Sequence, residues 1–411
     1  MIRLHDPVER ALSSAVLALS LSRGLFFAVS ALYFTRGVGL APTTVGVGLT
    51  AAGAAGVLAS YLGGRLSDRV GADRLQLWAL AANGLSLLAY AAAHDVVTFV
   101  LVATCVSASR GLMSTAEMTL LARWYTGPER VGVRARIRVV MNVAIGVGTL
   151  VAALALLADT AAAYRLTIVV VGVLTTLGTL PLVGLRRRVP GLAERMDAGA
   201  APTAEAGTSP LRDRTYLTAT ALTTVIAIQF GLTSVGIPLW VADHTEAPTY
   251  VVSVLLVINT VYVALFQVRA SRGTHDVRTA GRAVRTAGLL LLTACLLFAL
   301  AGPLGAVAAT AVLVLAALAG SSAETHAEAG SWGLAFELAD PERAGAYQGV
   351  SQMGYAFAQM LAPAVITLTA IDHGTAGWAA LGALFAATGL ATAALASRAA
   401  SRRTHPVLSG R

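Results

Sequence analysis

The sequence predicts an all-α integral membrane protein whose twelve transmembrane helices form two pseudo-symmetric six-helix bundles. Three observations predict it: a composition too apolar for water, twelve runs long enough to cross a bilayer, and a short internal repeat on either side of a hydrophilic interval. Of 411 residues, 56% are hydrophobic and 12% are charged, about half the roughly 25% charged share of soluble domains. A helix rises about 1.5 Å per residue and satisfies its own backbone hydrogen bonds, so an apolar run of about 18 residues or more spans the hydrocarbon core.

The first six runs cover residues 12–35, 43–64, 75–94, 96–122, 138–158 and 163–185. The second six cover 215–241, 249–268, 283–301, 304–329, 347–370 and 376–397. Arg23 interrupts the middle of the first run, and no small-residue cleavage site followed by a polar mature region comes after it. It is therefore expected to be a membrane span and not a cleaved signal peptide. Cys105 and Cys295 fall inside runs and read as small packing residues without disulfide or metal spacing.

The formal net charge is +9, and its distribution decides what it means. All 30 basic residues are arginines. With the N-terminus inside, every one except Arg23, Arg36, Arg110 and Arg165 falls in or at the end of a cytoplasmic segment. The dense clusters, such as Arg186, Arg187 and Arg188 or Arg269, Arg272, Arg278, Arg282 and Arg285, come after every second run. That is the positive-inside pattern of a multi-pass protein of the inner (cytoplasmic) membrane with both termini cytoplasmic. The charge faces the lipid bilayer's cytoplasmic side, and no nucleic acid is expected as a partner. The lack of lysine excludes a phosphate-binding GK[ST] loop and a Schiff-base enzyme, so ATP-driven transport by this chain alone is not expected.

Residues 186–214 form the most hydrophilic interval, rich in Pro, Gly, Ala and mixed charge. They divide the chain into an N-terminal six-helix bundle (1–185), a cytoplasmic linker (186–214), a C-terminal six-helix bundle (215–397) and a basic tail (398–411). The division has internal support. Pro128-Glu129-Arg130-Val131-Gly132 recurs as Pro341-Glu342-Arg343-Ala344-Gly345 at an offset of 213 residues, which lays runs 4 and 5 on runs 10 and 11, as a duplicated six-helix unit requires.

Between runs 2 and 3 the chain reads Gly64-Arg65-Leu66-Ser67-Asp68-Arg69-Val70-Gly71-Ala72-Asp73-Arg74. Gly64 permits close helix approach, Gly71 a tight turn, and Asp68 lies at a membrane boundary where it can receive an arginine or a helix N-terminus. The loop resembles the GxxxDRxGRRx signature of the major facilitator superfamily at Gly64, Asp68, Arg69, Gly71 and Arg74, and departs from it at Ala72 and Asp73. Arg110-Gly111 in run 4 is similar to the family's RxxxG-type element. In flavour the chain is closest to bacterial drug or metabolite:proton antiporters, although run 5, which in those proteins carries a Gly-Pro-rich motif, has Gly146 and Gly148 but no proline. The resemblance implies the twelve-helix facilitator fold, a conformational gate in which Asp68 latches the two halves in the outward-facing state, and a central cavity lined by helices 1, 4, 7 and 10. The alternative reading of the loop is a topogenic, solvated turn.

A charged group near the bilayer centre costs about 2.5–3.5 kcal/mol on insertion scales, so each needs a partner or a water-filled cavity. Arg23 lies in run 1. Ser107, Arg110, Ser114 and Glu117 share one face of run 4, and Glu324 and Glu328 stand at i, i+4 on run 10. The 213-residue offset puts Glu324 at the depth of Arg110. Two carboxylates on adjacent turns repel unless one holds a proton, so Glu324, Glu328 and Glu117 are the candidates for proton coupling. His326 joins them because imidazole titrates near neutrality. The candidates for substrate binding are Arg23, Arg110, Gln229, Asn259 and Tyr262, with Gln352, Tyr355 and Gln359 on one face of run 11. The competing reading is that these charges only neutralise one another and hold helices in register. His326-x-Glu328 lacks the companions of a zinc site, so neither a metal nor another cofactor is expected.

These features predict a non-enzymatic secondary transporter that works as a monomer by alternating access on a small molecule and protons. The leading expectation is proton-coupled export of a small amphipathic compound such as an antibiotic or secondary metabolite. The alternative is uptake or exchange of an anionic metabolite held by Arg23 and Arg110, and the remote one is a membrane sensor or enzyme.

Overall fold

The computed structural model describes residues 6–34, 38–197, 208–274 and 276–404. The middle of the expected linker (198–207), the end of the expected tail (405–411) and Arg36 lie outside the described residues. Among the described residues the fold is helical throughout. Its helices are α1 (Pro7–Leu32), α2 (Pro42–Val70), α3 (Ala72–Ala89), α4 (Val96–Trp124), α5 (Pro128–Ala158), α6 (Ala161–Leu177), α7 (Leu185–Arg188) and α8 (Leu192–Asp197). They continue with α9 (Arg214–Ala227), α10 (Ile237–His244), α11 (Val251–Ser271), α12 (Val277–Ala301), α13 (Ala306–Glu337), α14 (Ala344–Ile366) and α15 (Gly374–Thr404).

Ten helical segments among the described residues are long and apolar enough to cross a membrane. Two of them are composite. The seventh span runs from α9 through a π-helical stretch, Leu232–Gly236, into α10, and the eleventh continues α14 into a second such stretch, Thr367–Ile371. With α1 and the shorter α6, the described helices fall on all twelve apolar runs. A proline stands near each π stretch. Pro238 stands in the first turn of α10, and Pro363 sits inside α14, where its missing N–H withdraws a bond from the helical ladder. Capping fixes other starts: Asp95 and Thr98 on α4, and Asp276 and Thr279 on α12, form reciprocal capping boxes.

The chain divides into two compact units. The first comprises Met1–Thr126, Arg136–Ser209 and Asp340–Ala356, so the opening turns of α14 belong to it. Within it α2 packs along α4, α3 lies against α4 and α6, and α1 lies against α6. Phe34, Tyr90 and Phe99 form an aromatic knot with ring centroids 4.7–6.1 Å apart. Small residues set the tightest crossing, because a side chain at Gly148 of α5 would strike the carbonyl of Leu21 on α1, and one at Gly24 would strike that of Ile145. Run 5 thus achieves close packing with glycine alone, as small residues do between membrane helices.

The second unit comprises Gly127–Ala135, Pro210–Ala339 and Phe357–Arg411. In it α12 packs against α13 and α15, and α11 lies along α13. Trp240, Phe298 and Trp378 cluster at one end, and the Trp240 indole N–H donates to the Phe298 carbonyl at 2.8 Å.

Candidate functional site

The signature loop is the junction of α2 and α3 in the first unit. Gly71 turns the chain there with φ of 91°, in a region that a side chain rarely enters. Asp68, three residues earlier, is surrounded by donors. Its carboxylate accepts from the backbone N–H groups of Gly345 and Ala346 at 2.9 and 2.8 Å and from the Arg123 guanidinium at 2.6 Å. Those two amides are free donors in the first turn of α14, where the helix dipole also favours an anion. Approach this close needs bare backbone. A Cβ on Gly64 would overlap the Gly345 carbonyl oxygen, and one on Gly345 would overlap the Asp68 carboxylate. Gly345→Ala is therefore expected to destabilise the protein by about 1–3 kcal/mol, read as a lower melting temperature in detergent, whereas alanine at Gly146, which has open space, should leave it unchanged.

Arg123 also donates to the Met196 carbonyl of α8 at 2.7 Å. Nearby, Asp73 stands 3.6 Å from Arg186, which bonds Asp197 as well. Sequence reasoning missed Arg123, Arg186 and the α14 amides. The Gly345 end carried a signal, since it closes the internal repeat; the arginines were indistinguishable from their topogenic neighbours. Arg69 and Arg74, also expected at the gate, are exposed.

In the same unit Arg110 lies at the middle of α4. Its guanidinium stands 5.9 Å from the centre of the Phe26 ring and feels the charge of Arg23 on α1. Its Nε is buried with no hydrogen-bond partner, and no acidic side chain among the described residues pairs with it. Glu117 is buried two turns further along α4. Ser114, on the face between them, donates to Oε1 of Gln352 at 2.6 Å. Tyr355 is half-buried in this unit, and Gln359, in the other, is exposed.

The second unit holds a small cavity of about 30 Å³, lined among others by Gln229, Thr233, Asn259, Ser321 and Glu324, room for about one water. Asn259 on α11 donates to Glu324 Oε2 at 2.9 Å and lies 3.2 Å from the Ser321 hydroxyl. Gln229 sits in the break of the seventh span, just before the π stretch, and its buried Oε1 has no partner. Such π insertions are frequent at functional sites. Leu255, Leu291 and Phe298 make the rest of the wall apolar. Glu324 is thus an acid at the centre of α13, 8% exposed, bonded to the Asn259 amide and with a pocket carrying polar groups in front of it. Glu328, one turn on, is also buried.

His326 is turned away from this cavity. Two residues along a helix rotate a side chain by about 200°, and His326 lines a separate groove with Tyr262, its Nδ1 2.8 Å from the Ser322 carbonyl. The structure therefore joins Glu324, Asn259 and Gln229, and separates them from His326 and Tyr262.

Residues 12–363 match the family model described as Major Facilitator Superfamily. The chain belongs to the Major Facilitator Superfamily. It is therefore a multi-pass membrane transporter of small molecules and not an enzyme, and its spans follow the twelve-helix facilitator fold. The human organic anion transporter MFSD10 (TETRAN) superposes with a TM-score of 0.68 at 15% identity, over 94% of this chain and 99% of its own. An outward-facing bacterial homologue of the iron transporter ferroportin gives 0.72 at 14% identity, over 96% and 100%. The proton:xylose symporter XylE, bound to 6-bromo-6-deoxy-D-glucose, gives 0.68 at 13%, over 93% and 94%. At these identities the likeness is one of fold. No curated protein matches the chain by sequence.

Proposed function

We propose that this facilitator is a proton-coupled secondary transporter of a small amphipathic organic anion, working by alternating access between two six-helix halves, 1–185 and 215–397. The observation that carries the reading is Arg110: a cation at mid-helix that feels the charge of Arg23, and Arg110 itself has no acid paired to it among the described residues. An arginine in hydrocarbon without a counter-ion is costly, and a carboxylate, sulfate or phosphate on the cargo would supply one, with the guanidinium fork giving bidentate contact. Phe26 beside Arg110 offers an aromatic face to the cargo's apolar part. That one fold relative is an organic anion transporter is consistent with this choice.

Glu324 is assigned the proton. It is buried, accepts a hydrogen bond from Asn259, and faces a pocket that can hold water. Glu117 and Glu328 are the next candidates. The Asp68 cluster is assigned the gate, because it ties the α2–α3 turn to the first turn of α14 through groups that must separate together.

The test is a screen of purified protein against carboxylates, sulfates and phosphates of graded apolar size, read by thermal unfolding at two pH values. Anions that stabilise the wild type are expected to bind Arg110→Lys about tenfold or more weakly, since a bidentate contact is worth about 1.5–3 kcal/mol. Equal affinity in both proteins for every anion that binds would sink the assignment. A second reading, export of a neutral amphipathic compound, draws on the apolar walls of the Glu324 cavity. It would be preferred if only uncharged compounds stabilised the protein.

A further inference from the structure

A second groove of the second unit lies apart from the Glu324 cavity. It has a volume of about 470 Å³ and opens between the C-terminal end of α11 and the start of α12, with one wall from α13. That volume is in the range of small-ligand clefts, roughly 300–1,000 Å³. Two helical stripes face it. Tyr262, Phe266 and Arg269 recur at i, i+4 and i+7 on α11, and Thr279, Arg282 and Thr286 at i, i+3 and i+7 on α12. His326 closes the back.

The stripes are graded along the helix axes. Arg269 and Arg282 stand at the helix ends, where α11 gives way to α12, while Tyr262 lies about 10 Å deeper by helical rise. The mouth is therefore cationic and polar, and the interior aromatic. No acidic residue lines the groove. Arg269 and Arg282, with Arg272, Arg278 and Arg285 around them, are exposed and form no ion pair among the described residues. Five exposed cations concentrated on one helix junction, where the one acid, Asp276, is engaged as the N-cap of α12, make a positive surface that attracts anions. The flanking side chains Leu265, Phe266 and Leu289 are exposed hydrophobics, as a face in contact with acyl chains should be.

We propose that this groove is a binding site for an anionic phospholipid. The lipid phosphate is held between Arg269 and Arg282, with Thr279 in reach as a hydroxyl donor, and the first part of an acyl chain lies against Phe266 and Tyr262. Arginine pairs well with phosphate oxygens, and basic pockets between membrane helices are where anionic head groups dock. A free phosphate would satisfy the arginines but leave the aromatic interior of the groove unused.

The experiment titrates the purified full-length protein in detergent with short-chain phosphatidylglycerol, with short-chain phosphatidylcholine and with inorganic phosphate, and reads the melting temperature. Phosphatidylglycerol is expected to raise it in a saturable way, while the other two do not. The Arg269→Gln/Arg282→Gln variant should need about 25-fold more phosphatidylglycerol for the same shift, because each arginine near an anionic lipid is worth about a factor of five. Arg398→Gln/Arg402→Gln, which removes two exposed arginines elsewhere, should respond like the wild type. Retention of phosphatidylglycerol through purification, measured by mass spectrometry, gives a second reading that does not depend on the melt. Equal titrations for wild type and the first variant, an equal response to phosphatidylcholine, or an equal response to inorganic phosphate would each overturn the proposal.

Discussion

Replacing Glu324 by glutamine is expected to abolish accumulation driven by a pH gradient while leaving exchange of the same cargo across equal pH intact. The substitution is nearly isosteric, so the contact with Asn259 and the shape of the cavity survive. What disappears is the ability to lose and regain a proton. With one proton coupled per cargo, a gradient of one pH unit is worth about 1.4 kcal/mol and sustains about tenfold accumulation. The variant in proteoliposomes should sustain none. Counterflow of labelled cargo should persist, because it requires the alternation of access without net proton movement. Glu328→Gln is the control within one turn of the same helix. If Glu324→Gln accumulated cargo as the wild type does, proton coupling would have to be assigned elsewhere, with Glu117 and Glu328 the first to test.

The second large effect is expected at Asp68. In Asp68→Ala the Arg123 guanidinium and the amides of Gly345 and Ala346 lose their common acceptor in one step. Removing one partner of a buried ion pair costs about 3–5 kcal/mol, much of it from the charge left behind. Asp68 is 15% and Arg123 6% exposed at the side chain, so a value near the lower end is expected. Asp68→Asn keeps one acceptor oxygen and should cost less, about 1–3 kcal/mol. Transport rates should fall in the order wild type, asparagine, alanine, with the alanine variant at least tenfold down. Unchanged transport in Asp68→Ala would mean the cluster is a solvated turn and no gate.

The spans and the family were legible because they rest on strong, additive signals. Twenty apolar residues in a row have few other fates. The motif from Gly64 to Arg74 was legible for a different reason: the contacts at Gly64 and Asp68 are those its chemistry called for, while Arg69 and Arg74 are exposed. The grouping of polar side chains was only half readable. Helical periodicity puts Glu324 and His326 on opposite faces, yet the ordinary titration of imidazole near neutrality invited their assignment to one task. Which neighbour each face meets depends on packing, and α11 supplies Asn259 to one and Tyr262 to the other. The π-helical interruption beside Gln229 could not be foreseen at all, since Gly231, Gly236 and Pro238 are compatible with several ways of breaking a helix. Arg123 was hidden for the opposite reason: it is one arginine among 30.

The double duty of Arg123 bears on how fast the proposed gate works. When the carboxylate of Asp68 departs, the guanidinium is still held by the Met196 carbonyl of α8, so it does not swing free and lose its aim. Returning Asp68 then meets a donor already oriented, and the entropy of ordering that long side chain is not incurred again on each cycle. The short helix inside the hydrophilic interval between the two halves would in this way set a turnover frequency, and shortening it or displacing Met196 should slow closing while leaving the affinity for cargo as it was.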